Sequence, residues 1–115
     1  MRVLVCGGRN YSDAERIAAV LGKLHDEAGI DILIEGGANG ADRWASLWAK
    51  AHRVPTQRFE ADWENRGSFA GPLRNAVMLE QGQPDVVIAF PGGRGTADMV
   101  RKARRAGVEV VEIAP

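Results

Sequence analysis

The sequence contains a single cysteine, Cys6, so no disulfide can form within the chain and a reducing compartment fits it best. Its two histidines, His25 and His52, fall in separate helical patterns without partners at metal-ligand spacing, so no metal site is expected. No apolar run approaches the roughly 20 residues of a membrane span. The N-terminus opens directly into a strand-like run, which argues against a signal peptide and favours a cytoplasmic protein without membrane contact.

An excess of charge of one sign is also missing, because 15 Lys and Arg balance 15 Asp and Glu. Nucleic-acid binders normally carry a basic excess, and binders of single strands add aromatic platforms. The zero net charge and the small aromatic set of three Trp, three Phe and one Tyr therefore disfavour nucleic acid as a partner. With 115 residues, 45% of them hydrophobic and 26% charged, residues 1–115 are expected to form one globular domain.

Five short aliphatic runs predict β-strands. They are Arg2–Cys6, Asp31–Glu35, Val54–Glu60, Asp85–Phe90 and Val108–Ile113. Nearly continuous aliphatic runs are typical of strands that are buried on both faces of a parallel sheet. The third run is weaker and contains Pro55, which favours a position at the edge of the sheet.

Helical periodicity follows the first two strands. Ser12–Glu15 has the spacing of a capping box, and Gly29 suits the position just after a helix. The first helix is therefore predicted to lie between these two points. The second helix follows Gly40 and is predicted to bury one face, made of Trp44, Leu47, Trp48 and Ala51.

Two more helices are predicted in the second half of the chain. Ala61–Gly71 is the longest irregular stretch, and Gly71-Pro72 then opens a helix that runs to Gln81-Gly82. Thr96 is predicted to cap the last helix, which ends at Gly107. Strands that alternate with helices predict the α/β class: a single Rossmann-like three-layer sandwich with a five-stranded parallel sheet, order 3-2-1-4-5, and helices on both faces.

Glycine-rich loops follow the first, second and fourth strands. In such a sheet, ligands bind beyond the carboxyl ends of the strands where the strand order reverses, and all three loops lie there. Glycine lets the backbone approach a ligand, and the helix behind each loop offers unpaired N–H groups to an anion. The candidate ligand-binding residues are Gly7, Gly8, Arg9, Gly36, Gly37, Gly40, Asp42, Gly92, Gly93, Arg94, Gly95 and Thr96. One such loop could be only a tight turn, but three at one sheet edge favour a phosphate-bearing ligand.

Two common nucleotide fingerprints are missing. No G-x-x-x-x-G-K-[ST] occurs, which disfavours a P-loop ATPase or kinase. The first strand is followed by GGRNYS rather than G-x-G-x-x-G, and Glu60 and Asp62 lie too far along the chain for a ribose-binding acid. A conventional dehydrogenase is therefore disfavoured, and no cofactor is expected.

Four motifs carry a resemblance to a known family. They are Gly36–Arg43 (GGANGADR), Ala61–Trp63 (ADW), Ala70–Asn75 (AGPLRN) and Pro91–Asp98 (PGGRGTAD). Together they resemble the YspA-type (cpYpsA-related) branch of the SLOG superfamily, which is Rossmann-like and includes LOG phosphoribohydrolases and DprA-type DNA-processing proteins. The resemblance implies a crevice that binds nucleotides or nucleotide-derived molecules, and a homo-oligomer, either a dimer or a larger assembly.

The LOG enzymes, which cleave the N-glycosidic bond of nucleoside monophosphates, imply two further roles. Their Arg-Lys-x-x-Met motif is similar to Arg74–Met78, and their PGG-x-GT-x-Glu motif is similar to Pro91–Asp98. On this resemblance Arg74 would hold phosphate or ribose, and Asp98 would stand in place of the catalytic carboxylate. In this chain Asn75 stands where the LOG motif has Lys, and Asp98 stands where it has Glu. Ligand binding is therefore expected to be retained more readily than catalytic activity. The first hypothesis is a binding module or sensor, and the alternative is a hydrolase that uses Arg74 and Asp98.

Several single residues keep two interpretations. Arg9 is either a phosphate clamp or a solvated loop charge, and Asp42 either contacts a ribose hydroxyl or caps its helix. Arg74 and Asn75, just after the start of the third helix, are expected to face the crevice. Trp63 either stacks on a base or packs over the end of the sheet.

Overall fold

The computed structural model describes residues 1–115 as a five-stranded parallel sheet with the order β3-β2-β1-β4-β5. The first three strands and two helices are β1 (Arg2–Cys6), α1 (Ala14–Ala28), β2 (Ile32–Glu35), α2 (Ala41–Ala51) and β3 (Thr56–Arg58). The rest are α3 (Trp63–Arg66), a 3-10 turn (Gly67–Phe69), α4 (Ala70–Gly82), β4 (Val86–Ala89), α5 (Arg94–Arg105) and β5 (Glu109–Glu112). The predicted α/β class, Rossmann-like architecture and strand order are confirmed.

The sheet separates two apolar layers, because successive residues of a strand point to opposite faces. Val3 and Val5 of β1 pack against α1 and α2, whereas Leu4 and Cys6 pack against α4 and α5. All four side chains are buried. The edge strands β3 and β5 are largely exposed, which agrees with the weak aliphatic pattern of the third predicted strand.

Three predicted helix starts are wrong by one to three residues. Asp13, not Ser12, caps α1 by accepting a hydrogen bond from the amide of Arg16 at 3.0 Å. Helix α4 begins at Ala70, before Gly71-Pro72. Helix α5 begins at Arg94 with Gly93 in the cap position, because the Thr96 hydroxyl lies against Gly92 inside the first turn instead of preceding the helix.

Two segments also differ from the prediction. Ala61–Gly71 is not irregular throughout, since Asp62 caps the short helix α3 and a 3-10 turn follows it. On α2, Leu47 and Ala51 are exposed, and the buried face is formed mainly by Ala41, Ala45, Trp48 and Ala49. Small alanines let α2 approach α1 and the sheet closely, so Ala41, Ala45 and Ala49 form most of its buried face beside Trp48. The longest helix, α1, has 15 residues, and no helix meets the length and hydropathy of a membrane span.

The loops after β1, β2 and β4 meet at the carboxyl end of the sheet. The Gly8 amide donates to the Pro91 carbonyl at 2.9 Å, and the Ala41 amide donates to the Gly8 carbonyl at 3.2 Å. Gly40 has a φ of +76°, and a Cβ there would overlap the Gly8 carbonyl. A Cβ on Gly7 would stand 2.5 Å from the Cβ of Ala41. Glycine is therefore a steric requirement of this junction.

Replacing Gly40 with Ala is expected to lower the free energy of unfolding by about 2–4 kcal/mol, because the side chain adds backbone strain and a clash with Gly8. The control is Gly22→Ala in the middle of α1, where an added Cβ meets no atom within 4 Å. That variant should gain about 0.5–1 kcal/mol through helix propensity. Urea unfolding of both variants measures the contrast, and equal effects would contradict a close junction at Gly40.

Candidate functional site

A cavity of about 460 Å³ opens at the carboxyl ends of β1, β2 and β4. It brings together many of the residues predicted from the sequence: Gly7, Gly8, Arg9, Asp42, Arg74, Asn75, Gly93, Arg94, Gly95, Thr96 and Asp98. Gly36 and Gly37 instead line an adjacent cavity of about 320 Å³, and Gly40 and Gly92 line neither cavity. Ala38, Pro72 and Met78 also line the cavity and lie within the sequence motifs that resemble known families, whereas Ser68 lies in none of these motifs.

The N-terminus of α5 presents unused hydrogen-bond donors to the cavity. No protein atom accepts a hydrogen bond from the backbone amides of Arg94, Gly95 or Thr96. No side chain caps the helix, and its first turn contains no acidic residue. All three residues line the cavity, so its wall carries free amides at the positive end of a helix dipole.

Three amides of the loop after β2 already donate hydrogen bonds within the protein. Those of Gly36 and Ala38 donate to one oxygen of Asp42, Oδ2, at 3.1 and 3.2 Å. The Gly37 amide donates to the buried carboxylate of Glu35 at 3.1 Å. Contact of Gly36 or Gly37 with a ligand stays a prediction, but their amides shape the loop and are not free donors.

Asp42 is only 6% exposed, and its carboxylate folds the loop before it rather than capping its own helix. The second oxygen, Oδ1, accepts no hydrogen bond from the protein. Since Asp42 lines the cavity and every fully buried polar side-chain atom has a partner, Oδ1 is open to the cavity. Burial raises the pKa of Asp42 to about 6, helped by the charge of Glu35 and opposed by the Ala38 amide and the charge of Arg74.

Arg74 is held by the protein itself. Its guanidinium donates to the carbonyl of Gly36 at 2.6 Å and to the side-chain oxygen of Asn75 at 3.1 Å. A Cβ on Gly36 would lie 2.8 Å from the central carbon of the guanidinium, so this glycine makes room for the Arg74 side chain. Arg74 thus joins α4 to the loop after β2 and forms part of the cavity wall.

Asp98 lies at the end of a hydrogen-bonded chain that starts from Arg74. The buried Asn75 amide donates to Asp98 at 3.0 Å and to the Gly95 carbonyl at 3.1 Å. Lys102 donates to the same Asp98 oxygen at 2.7 Å, and Arg101 donates to the other oxygen at 3.0 Å. Burial alone would raise the pKa of Asp98, but the hydrogen bonds from Lys102 and Asn75 and the two nearby cations together hold it below its ordinary value. Both oxygens are engaged, which makes Asp98 a weak base.

The free energy of unfolding should depend on pH through the buried charge of Asp42. A shift of its pKa from 3.8 to about 6 corresponds to a cost of about 3 kcal/mol, which is fully present above pH 6 and vanishes below pH 4. In Asp42→Asn the amide oxygen can still accept both backbone N–H groups. This variant is expected to be more stable than the parent by about 1–3 kcal/mol at pH 8, with the difference disappearing towards pH 4.

Asp98→Asn provides a control of opposite sign. The lowered pKa of Asp98 stabilises the fold above the ordinary pKa of Asp, and this stability is lost as the pH falls through the lowered value. The control should therefore be less stable than the parent at pH 8 and approach it in acid. Urea unfolding across pH measures both variants. A destabilised Asp42→Asn at pH 8, or a difference that does not change with pH, would contradict the buried charge.

Comparison with known proteins agrees with the fold. Residues 1–65 match the model of the YspA, cpYpsA-related SLOG family. The chain is 39% identical over 118 aligned residues to the Gene 61 protein of Mycobacterium phage D29, covering 96% of this chain and 94% of that protein. DNA processing protein A (DprA) from Streptococcus pneumoniae superposes with a TM-score of 0.80 at 21% identity, covering 99% of this chain and 50% of that one. The chain belongs to the YspA, cpYpsA-related SLOG family.

Proposed function

We propose that the chain is a binding module or sensor for a nucleotide or nucleotide-derived phosphate. The observation that carries the proposal is that free amides of α5 and the open Oδ1 of Asp42 line one cavity. Amides at a helix N-terminus suit phosphate oxygens, whereas a carboxylate oxygen suits a hydroxyl donor. Inorganic phosphate would use only the first group, and a sugar phosphate would use both.

Size and charge support the same ligand class. A cavity of about 460 Å³ falls within the range of about 300–1,000 Å³ that is typical of small-molecule sites. The side chains of Arg9 and Arg94 add two cations to its lining and are exposed. These cations would attract an anionic ligand and offset the negative charge of Asp42.

The contacts of Asp98 favour binding over hydrolysis. A general base must reach its proton within about 2.6–3.2 Å, directly or through one water. Both oxygens of Asp98 already accept hydrogen bonds from cationic side chains, and Arg74 is engaged with the Gly36 carbonyl. Cleavage of an N-glycosidic or phosphoribosyl bond by Arg74 and Asp98 remains the alternative function, and it is distinguished by product formation.

The amide donors can be tested through Arg94, the first residue of α5. Arg94→Ala removes the side chain alone, whereas Arg94→Pro also removes the backbone N–H at a position where proline is tolerated. Gly93 has φ −102° and ψ −139°, which lies outside the α region that a following proline disfavours. Because a hydrogen bond to a charged group contributes about 1.5–3 kcal/mol, Arg94→Pro should bind nucleoside monophosphates about tenfold or more weakly than Arg94→Ala.

Calorimetric titration with AMP, GMP, CMP and UMP measures this contrast. Equal affinity of the two Arg94 variants would contradict phosphate binding at α5. The same mixtures, with NAD added to the panel, are then analysed for free base by chromatography. Tight binding without product supports the module. Release of base that is abolished in Asp98→Ala, while binding is kept, would establish the hydrolase instead.

DprA is a DNA processing protein with the same fold, which raises nucleic acid as an alternative partner. The zero net charge of this chain gives no general attraction for a phosphate backbone, so nucleic acid stays disfavoured. A shift of single-stranded DNA in a gel that weakens with added salt would reverse this expectation.

We also propose that the chain forms a homodimer through the outer face of α4. Leu73 and Val77 are exposed there one turn apart, and the exposed Phe69 precedes them by the same spacing. Arg66 lines a surface cavity together with Leu73 and Val77, and the exposed Glu80 follows Val77 on α4. An antiparallel two-fold pairing would join the apolar side chains and set Arg66 of each copy against Glu80 of the other.

Leu73→Asp should convert this dimer to a monomer, because it places a charge on the two-fold axis of an apolar contact. The control is Leu47→Asp on α2, since Leu47 is 47% exposed and Leu73 is 45% exposed. Analytical ultracentrifugation measures the mass of each protein. A monomeric parent protein, or the same response in both variants, would contradict the α4 interface.

A further inference from the structure

Trp63 is an exposed aromatic residue at the mouth of the cavity. It is the first residue of α3, and Asp62 caps that helix by accepting hydrogen bonds from Asn65. A Cβ on Gly71 would stand 3.1 Å from the outer edge of the indole, so this glycine seats the ring on α4. Yet 46% of Trp63 is exposed, which is unusual for a large aromatic residue that serves only packing.

The ring faces the same space as the proposed phosphate site. Trp63 lines the cavity of about 460 Å³ together with Gly95 and Thr96 of α5, and it also lines the adjacent cavity. A single ligand in the larger cavity can therefore contact the free amides with one end and the indole with the other. The open oxygen of Asp42 lines the same cavity.

The Arg9 side chain lies over the Trp63 ring in a contact that a ligand could replace. Its guanidinium lies 5.1 Å from the centroid of the Trp63 ring, and Arg9 makes no ion pair and donates no side-chain hydrogen bond within the protein. A cation–π contact at an exposed site is weak. A planar group that stacks better could displace the guanidinium, and a phosphate in the same cavity would then offer it an opposite charge.

We infer that Trp63 is the platform on which the planar base of the ligand stacks, so that the site selects a complete nucleotide over a sugar phosphate without a base. This inference rests on the proposed function. The exposed indole recognises the base, the Asp42 oxygen accepts from the sugar, and the α5 amides hold the phosphate. Arg9 turns from the ring to the phosphate when the base arrives. Every base can stack on an aromatic side chain. The platform therefore predicts that a ligand with a base binds more tightly than one without, whichever base it carries.

The experiment compares nucleoside monophosphates with ribose 5-phosphate. We expect the parent protein to bind at least one of AMP, GMP, CMP and UMP about tenfold or more tightly than ribose 5-phosphate. Replacing an aromatic residue that stacks on a base typically lowers the affinity by a factor of this size. Trp63→Leu should reduce the nucleotide affinity to the level of ribose 5-phosphate and leave the affinity for ribose 5-phosphate unchanged. Trp63→Phe keeps a planar ring and should recover much of the difference.

His52→Leu is the matched control, since it removes another ring stacked on a tryptophan, Trp48, at the end of α2 distant from the cavity. It should bind both ligands like the parent. Thermal unfolding of each variant checks that the fold is kept, and Trp63 is exposed enough for Leu to be tolerated.

The two proposals fail in different ways. If ribose 5-phosphate binds and is weakened by Arg94→Pro, but nucleotides bind no more tightly, the base platform is wrong and the phosphate site stands. Equal losses of both ligands in Trp63→Leu would likewise overturn the platform. If no nucleotide and no sugar phosphate binds, both proposals are overturned.

Discussion

The crevice depends on a steric constraint at the carboxyl end of the sheet. Three loops approach so closely that side chains do not fit between them: a Cβ on Gly40 would overlap the Gly8 carbonyl, and one on Gly7 would press on Ala41. A Cβ on Gly92 would lie 2.7 Å from the Gly8 nitrogen. Because Gly40 and Gly92 both lie against the backbone of Gly8, the start of α5 stays next to the start of α2. The cavity is the space that this arrangement leaves beneath α3 and α4.

The loops that meet there play different parts. In the loop after β2, the amides of Gly36 and Ala38 donate to Asp42, so these two amides are not free for a ligand. At the start of α5 the amides remain free. The arrangement leaves one oxygen of a buried, ionised Asp42 open, at a cost in stability near neutral pH. Perturbed groups of this kind cluster at functional sites, so Asp42 and the start of α5 together mark the candidate site.

The sequence was sufficient for the sheet and for the position of the crevice. Aliphatic runs and glycine-rich loops predict parallel strands and the edge where ligands bind, since both follow from local pattern and topology. The partners of individual amides depend on contacts distant along the chain, so no pattern could show that Asp42 closes the loop before it. For the same reason local pattern predicts a cap at Thr96 where Gly93 stands, and it places Leu47 on the buried face of α2, which Trp48 and closely packed alanines form instead. Asn75 could be placed at the crevice, but its bridge to Asp98 emerges only when α4 packs on α5.

The proposed function depends on phosphate binding by the free amides of α5 and not by the amides of Gly36 and Ala38. Amide ¹H–¹⁵N spectra during titration with a nucleoside monophosphate test it residue by residue. The account predicts large shifts for Arg94, Gly95 and Thr96, with the amides of Gly36 and Ala38 nearly unchanged because they keep donating to Asp42. Large shifts at Gly36 and Ala38 with none at the start of α5 would contradict it.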